Sequence, residues 1–411
     1  VQTCALPICE LWKSNGTAEG TTLVKDINSQ SEDIRLYSNP ISFQNQTYFA
    51  TDEGIWQTDG TRENTSLLIE SESAFGIQVF KDQLIYTDDH PDTNRRTIWL
   101  SDGTAGGSQP LLDSAKAAEL TVTSQRNQPQ INGTLFFSGR TGELGWELYK
   151  TDGTAEGTAL VKDINPGDEN GARILDETDY LVLDNTLYFL GSTTIQGREL
   201  WKTDGTEEGT VPVTDINPFG DSFPRNFTEI DGTIFFTADD GTSSRELWKT
   251  DGTTEGTELV KDIFPGGLGV SSNDEFINYQ DTLFFAANDG EHGRELWKSD
   301  GTEAGTVMVR DIYPTTNNFT RSSIPRDFTV YKDQLLFTAN DSTGRKIWQT
   351  DGTSEGTQIF VDMEVNMGLL NANGTLFFSA SDGESGKELW RTDGTPEGTQ
   401  LVQDIFIGPN D

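Results

Sequence analysis

The chain has 411 residues, a formal net charge of −38 and 33% hydrophobic residues. So acidic a surface argues against a nucleic-acid partner or an anionic membrane. No apolar stretch approaches the roughly 20 residues needed to cross a membrane, so we expect no membrane insertion.

The first nine residues differ from everything that follows. They match no repeat, and we interpret 1–9 as a non-native leader, a sequencing artefact. The only two cysteines, Cys4 and Cys9, lie in this segment, so we base no disulfide or metal argument on them. We expect this sequence to be part of a larger chain.

From Glu10 onward, the phrase Glu-Leu-Trp-Lys-Thr-Asp-Gly-Thr recurs nine times with small changes. Its aromatic residue recurs every 42 to 52 residues, at Trp12, Trp56, Trp99, Tyr149, Trp201, Trp248, Trp297, Trp348 and Trp390. A period of about 40–50 residues is typical of a four-stranded propeller blade. Because stacked repeats form one continuous body, 10–411 is predicted to be a single β-propeller repeat domain.

One repeat illustrates the predicted blade. Asp231-Gly232 forms a two-residue hairpin turn, and Phe235-Phe236 puts bulky apolar groups on both faces of one strand. Both faces must therefore be covered, as they are when neighbouring blades sandwich each sheet. The predicted strands are 227–230, 233–238, 246–249 and 257–263.

The number of blades has two readings. The first copy, 10–27, supplies only two outer strands, whereas the eight later copies supply four each. We predict an all-β propeller of four-stranded antiparallel blades, with eight full blades plus an orphan N-terminal hairpin. An incomplete nine-bladed ring is the alternative.

These phrases resemble the ELWxxDGT repeats of bacterial proteins that are thought to be secreted or surface β-propellers. The leading glutamate is absent at Gly54, Thr97 and Lys346, and the phrase also departs at Asn15 and Tyr149. The resemblance implies the propeller architecture and an extracellular or cell-surface location. It implies no established activity.

Variable loops between blades are the expected place for a ligand, since function tends to sit in loops on a rigid scaffold. Four arginines occur there in an otherwise acidic chain: Arg173, Arg225, Arg321 and Arg326. They either form a positive patch that recognises a carboxylate or sulfate, or neutralise nearby acids such as Asp168, Asp221 and Asp327.

Two other side chains are candidate ligand contacts. Trp146 lies outside the register of the recurring tryptophans, which are expected to pack between blades rather than to form a carbohydrate platform. His292 is one of only two histidines, and both occur in polar loops. So few histidines argue against a hydrolytic triad or a histidine-rich metal centre, and we name no catalytic residue.

The Asp-Gly-Thr turns raise the question of calcium, which normally takes six to eight oxygen ligands. Each turn offers about one carboxylate, so an aspartate that caps its own turn is the favoured interpretation and no cofactor or metal is expected.

Together these features predict a non-catalytic extracellular binding or scaffolding module, adhesin-like, with a carbohydrate or protein ligand on the variable-loop face. The alternative is a propeller hydrolase or lyase that acts on an acidic polysaccharide.

Overall fold

The predicted propeller is present in the computed structural model of the chain. The structure describes residues 10–27, 36–124, 127–172, 174, 177–314, 321–383 and 386–405. Within these residues there are eight antiparallel sheets, seven of four strands and one of five, and a separate two-stranded hairpin. The prediction of four-stranded antiparallel blades, eight full ones plus a hairpin, is confirmed.

We number the sheets 1 to 8 in chain order. The hairpin consists of β1 (Leu11–Lys13) and β2 (Thr22–Lys25). Sheet 1 consists of β3 (Ile41–Phe43), β4 (Gln46–Thr51), β5 (Gly54–Thr58) and β6 (Ser66–Glu70). Sheet 2 consists of β7 (Phe75–Phe80), β8 (Gln83–Asp89), β9 (Arg96–Ser101) and β10 (Gln109–Pro110). Sheet 3 consists of β11 (Thr121–Val122), β12 (Gln130–Ile131), β13 (Thr134–Arg140), β14 (Glu147–Thr151) and β15 (Ala159–Lys162).

The remaining sheets repeat the pattern. Sheet 4 consists of β16 (Tyr180–Leu183), β17 (Thr186–Thr193), β18 (Gly197–Thr203) and β19 (Val211–Pro212). Sheet 5 consists of β20 (Arg225–Ile230), β21 (Thr233–Asp239), β22 (Arg245–Thr250) and β23 (Glu258–Lys261). Sheet 6 consists of β24 (Ile277–Tyr279), β25 (Thr282–Asn288), β26 (Arg294–Ser299) and β27 (Val307–Arg310). Sheet 7 consists of β28 (Arg326–Tyr331), β29 (Gln334–Asp341), β30 (Gly344–Thr350) and β31 (Gln358–Val361). Sheet 8 consists of β32 (Glu364–Ala372), β33 (Thr375–Ser381), β34 (Lys387–Thr392) and β35 (Gln400–Gln403).

The strands of each four-stranded sheet pair antiparallel in chain order. The hairpin turns and the Asp-Gly-Thr turns therefore lie at one end of every sheet, which we call the turn face. The other connections, including those between sheets, lie at the opposite end, which we call the loop face.

The Asp-Gly-Thr turn is held by its own side chains. Asp204 Oδ1 accepts hydrogen bonds from Thr206 N at 2.8 Å and from Thr206 Oγ1 at 2.7 Å. Thr203 Oγ1 and Thr210 Oγ1 share a hydrogen bond of 2.6 Å across the base of the turn. Gly205 adopts a φ of 90°, a conformation that favours glycine. The aspartate thus caps its own turn, as predicted.

The core lies between sheets. Phe235 packs with Leu283 and Phe285 of sheet 6, while its neighbour Phe236 packs with Leu200 of sheet 4. Both phenylalanines are buried, at 4% and 0% exposure. The expectation that both faces of one strand are covered is confirmed, and the recurring tryptophans at 201, 297 and 348 are likewise buried in these layers.

The hairpin completes a circle of packed sheets. Apolar clusters join each sheet to the next, from sheet 1 through sheet 8. The hairpin packs on sheet 1 through Ile27 and Phe49. On its other side a Cβ placed at Gly16 would lie 3.3 Å from Phe377 Cζ of sheet 8. The orphan hairpin therefore occupies a ninth blade position. The alternative prediction, an incomplete nine-bladed ring, describes this position of the hairpin.

Helical structure is limited within the described residues. The helix α1 (Ser114–Glu119) connects sheets 2 and 3, and Asp113 caps it by accepting a hydrogen bond from Lys116 N. A 3₁₀ turn at Glu177–Asp179 precedes β16. Among the described residues, no helix has the length and apolar character that a membrane span requires.

Candidate functional site

The loop face is organised by the glutamate of the repeated phrase. Glu199 is fully buried, and its Oε2 accepts hydrogen bonds from Ile216 N at 2.9 Å and from Ser222 Oγ at 2.7 Å. The connection to sheet 5 runs from 213 to 224, with Ile216 in its first part and Ser222 near its end. The carboxylate therefore ties both parts of one long loop to the sheet.

The same contact recurs in other sheets. Glu246 accepts hydrogen bonds from Ile263 N at 3.0 Å and Gly269 N at 3.1 Å, and Glu295 accepts them from Ile312 N and Ser323 N. The recurring glutamate of the phrase therefore holds the loops of the loop face on their sheets by accepting hydrogen bonds from loop N–H groups.

Burial raises the pKa of these anchoring carboxyls. For Glu147, Glu199, Glu246 and Glu295 the pKa is about 7, because desolvation outweighs the stabilising hydrogen bonds from the loop. An aspartate after the fourth strand, such as Asp262 beside Glu246, raises the pKa further through like charge.

A cleft of about 580 Å³ on the loop face gathers three arginines. Arg95 lies in the connection between β8 and β9, Arg96 is the first residue of β9, and Arg140 ends β13 in the next sheet. Asp168 and Asn170, from the loop after β15, line the opposite wall. The cleft is therefore built by two adjacent sheets and one inter-sheet loop.

The three guanidinium groups differ in their partners. Arg96 Nε lies 3.6 Å from Asp89 Oδ1, and Arg96 Nη1 donates to Ser124 Oγ. Arg140 Cζ lies 5.1 Å from the centre of the Trp146 ring. In the part of the chain that the structure describes, Arg95 and Arg140 form no ion pair. Both are exposed, so two cationic groups remain accessible to a ligand.

The register of the sheets explains why Arg140 forms no ion pair among the described residues. In sheet 2 Asp89 is opposite Arg96, and in sheet 5 Asp239 is opposite Arg245. Sheet 3 carries Arg140 where those sheets carry the aspartate. Because Trp146 stands where they carry the arginine, Arg140 forms a cation–π contact in place of an ion pair like that between Arg96 and Asp89.

Among the predicted site residues, Trp146 borders the arginine cleft, whereas Arg225 and Arg326 each lie beside an aspartate. Trp146 is half-buried at the border of the arginine cleft, and its backbone N–H donates to Asn170 Oδ1 at 3.0 Å. Arg225 Nη1 lies 3.2 Å from Asp179 Oδ1, and Arg326 Nε lies 3.8 Å from Asp327 Oδ2.

The other predicted residues lie elsewhere. Arg321 donates to the Tyr313 hydroxyl at 2.6 Å, and its guanidinium lies over the Tyr313 ring. His292 Nδ1 is 2.7 Å from Asp289 Oδ2, and this hydrogen bond raises the pKa of the imidazole. Arg173 lies outside the described residues. Of the described candidates, only Trp146 borders the arginine cleft.

Sequence reasoning missed Arg95, Arg96 and Arg140 because it looked for ligand-binding arginines only in the connections between blades. A signal was available. Alignment of the repeats places Arg140 where sheets 2 and 5 carry aspartate, which is a reversal of charge at one register position.

Comparison with known proteins gives the fold alone. No protein-family model matches the sequence, and no curated protein matches it. A puromycin-hydrolyzing peptidase from Mycobacterium tuberculosis is 12% identical with a TM-score of 0.40, over 82% of this chain and 54% of that chain. Oligopeptidase B from Leishmania major is 12% identical with a TM-score of 0.45, over 82% of this chain and 49% of that chain. This chain spans about half the length of these peptidases.

These structures correct the functional prediction. The neighbours are named as peptidases and hydrolases, including prolyl endopeptidases, and not as binding or scaffolding modules. The predicted non-catalytic scaffolding role, with a polysaccharide hydrolase or lyase as its alternative, is therefore wrong and we do not carry it further. The extracellular location is a separate expectation and stays a prediction. Because the likeness is confined to the fold, no peptidase activity is transferred to this chain.

Proposed function

We propose that this propeller binds a carboxylate-bearing ligand in the cleft formed by Arg95, Arg96 and Arg140. One observation carries the proposal: three guanidinium groups converge on one cleft in a chain of net charge −38. Guanidinium groups chelate carboxylates with two parallel hydrogen bonds, which gives both affinity and orientation.

In this proposal the three arginines have different roles in binding the carboxylate. Arg95 and Arg140, which form no ion pair among the described residues, supply the donors for the carboxylate. Arg96 is fixed by Asp89 and Ser124, so it contributes positive potential from a set position. The Trp146 ring holds the Arg140 guanidinium on its face and thereby limits the side-chain entropy lost on binding.

Asp168 sets a limit on the ligand. Its carboxylate lines the same cleft, so a ligand with several adjacent negative charges would be repelled there. A single carboxylate beside neutral hydrogen-bonding groups fits better, because Asn170 supplies an amide next to Asp168.

The test is a binding titration at low ionic strength with matched ligands. Two tripeptides with blocked termini, N-acetylated and C-amidated, carry one aspartate or one glutamate and are compared with their asparagine and glutamine counterparts, which carry no carboxylate. We expect saturable binding of at least one acidic ligand, and weakening of about tenfold or more in Arg95→Ala and in Arg140→Ala.

The matched control is Arg62→Ala, which removes the same charge from an exposed position in a turn on the turn face. Binding should be unchanged in this variant. Equal weakening by all three substitutions would reduce the effect to net charge and defeat the proposal, as would the absence of binding by both acidic ligands.

A further inference from the structure

The contact between successive sheets follows a fixed pattern on the turn face. Lys150 Nζ of sheet 3 donates to Gly205 O of sheet 4 at 2.7 Å, and a Cβ at Gly205 would lie 3.1 Å from Phe136 Cζ. In sheets 2 to 8 the glycine of this turn rests against an aromatic ring of the preceding sheet, whereas a Cβ at Gly60 of sheet 1 would meet only Lys13 Cδ of the hairpin, at 4.0 Å.

The hairpin forms the lysine contact with sheet 1 and the glycine contact with sheet 8. Lys13 Nζ donates to Gly60 O of sheet 1 at 2.7 Å, and Gly16 faces Phe377 of sheet 8. The hairpin therefore stands in the circle as the third and fourth strands of a blade.

The inner edge of this half-blade is unlike the others. In every full sheet the third strand pairs with a second strand on one side and a fourth on the other, whereas among the described residues β1 pairs with β2 alone. An unpaired strand edge presents a row of backbone donors and acceptors that another strand can satisfy.

An apolar cavity of about 220 Å³ lies beside this edge, between the hairpin and sheet 1. Its walls include Leu11, Val24, Ile27 and Phe49. Val24 and Ile27 occupy the repeat positions that Val309 and Ile312 hold in sheet 6.

In sheet 6 that same space is filled by the first and second strands. Tyr279 of β24 and Phe284 of β25 pack with Val309 and Ile312, and both rings are buried. The full blades thus show which chemistry fits the cavity: an aromatic side chain on a strand hydrogen-bonded to the third strand.

We propose that the inner edge of β1 and this cavity bind a two-stranded β-hairpin with the repeat's own first- and second-strand sequence, and so complete a ninth sheet. The occupant is a polypeptide segment with an apolar strand of the Leu-Phe-Phe type. A second copy of this chain is a poorer fit, since its inner strands are buried within its own sheets. The inference is independent of the arginine cleft.

The experiment uses the whole chain and a synthetic peptide with the sequence of residues 276–288. A dye-labelled peptide should bind saturably in a 1:1 ratio by fluorescence anisotropy. Backbone amides at Leu11–Lys13 should exchange hydrogen about tenfold more slowly in the complex. A peptide with Phe284→Ser should bind at least about tenfold more weakly, because the substitution removes the ring that fills the cavity.

Two variants of the chain localise the site. Leu11→Asp, within the cavity, should abolish binding, whereas Leu23→Asp on the other face of the hairpin should preserve it. Circular dichroism checks that each variant folds, and the Phe284→Ser peptide tests the cavity independently if Leu11→Asp does not.

Three results would overturn the inference. They are equal binding of the two peptides, binding without slower exchange at Leu11–Lys13, and a dimer of the chain alone that already protects this edge.

Discussion

The two faces of the propeller are both held by carboxylates, but in opposite environments. On the turn face Asp204, Asp300 and Asp351 lie in solvent, and hydrogen bonds from the threonine two residues later lower their pKa. On the loop face the glutamates are buried and their pKa is raised. A turn of fixed sequence can supply its own donors, whereas a loop of variable sequence needs an anchor from the sheet.

The exceptions support this reading. Where the glutamate is replaced by Gly54 or Lys346, the connection to the next sheet is short, at 71–74 and 362–363. Where it is replaced by Thr97, the helix α1 takes part in the connection and supplies its own hydrogen bonds. Long connections follow Glu147, Glu199, Glu246 and Glu295. Loop length and the anchoring glutamate therefore go together.

Removal of one anchor should have the largest effect. Glu199→Ala leaves buried N–H groups of the loop without acceptors, so we expect the free energy of unfolding to fall by about 3 kcal/mol. Lys346→Ala alters the same register position where no long loop follows, and we expect a loss below about 1 kcal/mol. Urea denaturation of both variants makes the comparison, and equal losses would show that the glutamate is no special anchor.

The pH dependence of the melting temperature should distinguish the carboxyls of the loop face from those of the turn face. The pKa of the buried glutamates is raised to about 7, so their contribution to stability is full below pH 4.5 and is lost as the pH rises through about 7. The turn aspartates have a lowered pKa, so their contribution is present above pH 3.8 and is lost as the pH falls below it. We therefore expect the melting temperature to be highest near pH 4, between 3.8 and 4.5, and to decline as the pH rises from 4.5 to about 7.

The variant Glu246→Gln tests whether this carboxyl causes the decline. Glutamine keeps an acceptor for Ile263 N but cannot ionise, so the decline between pH 4.5 and about pH 7 should be smaller than in the native chain. A decline of unchanged size would mean that this carboxyl does not contribute to it. Thermal melts at several pH values provide the measurement.

Substitution on the turn face should have the smallest effect. Asp204→Ala removes the acceptor for two hydrogen bonds from Thr206, so we expect a loss of about 1 kcal/mol.

The chain supplies the control for that change. Asn15 occupies the same position in the hairpin and accepts the equivalent bonds from Thr17 at 3.0 Å and 2.8 Å. Asp204→Asn should therefore be close to neutral in urea denaturation. A loss as large as that of Asp204→Ala would indicate that the charge, rather than the acceptor, holds the turn.

Local patterns were sufficient for one blade. The Asp231-Gly232 turn and the Phe235-Phe236 pair predict two adjoining strands and their burial on both faces, and the structure confirms them at Arg225–Ile230 and Thr233–Asp239. These features could be read from the sequence because they depend on residues close together in the chain. The candidate cleft could not, because its arginines come from two repeats and become neighbours only when sheets 2 and 3 pack together.

What the sequence by itself determined is the repeating unit: four strands, a self-capped turn and a layer of aromatic side chains on each face. What only the tertiary structure decided is how the units meet. The pairing of Arg225 with Asp179, the convergence of Arg95 and Arg140, and the place of the hairpin between sheets 8 and 1 all join distant parts of the chain. The physical reason is that contacts between repeats depend on the angle and spacing of packed sheets, which no local pattern of residues encodes.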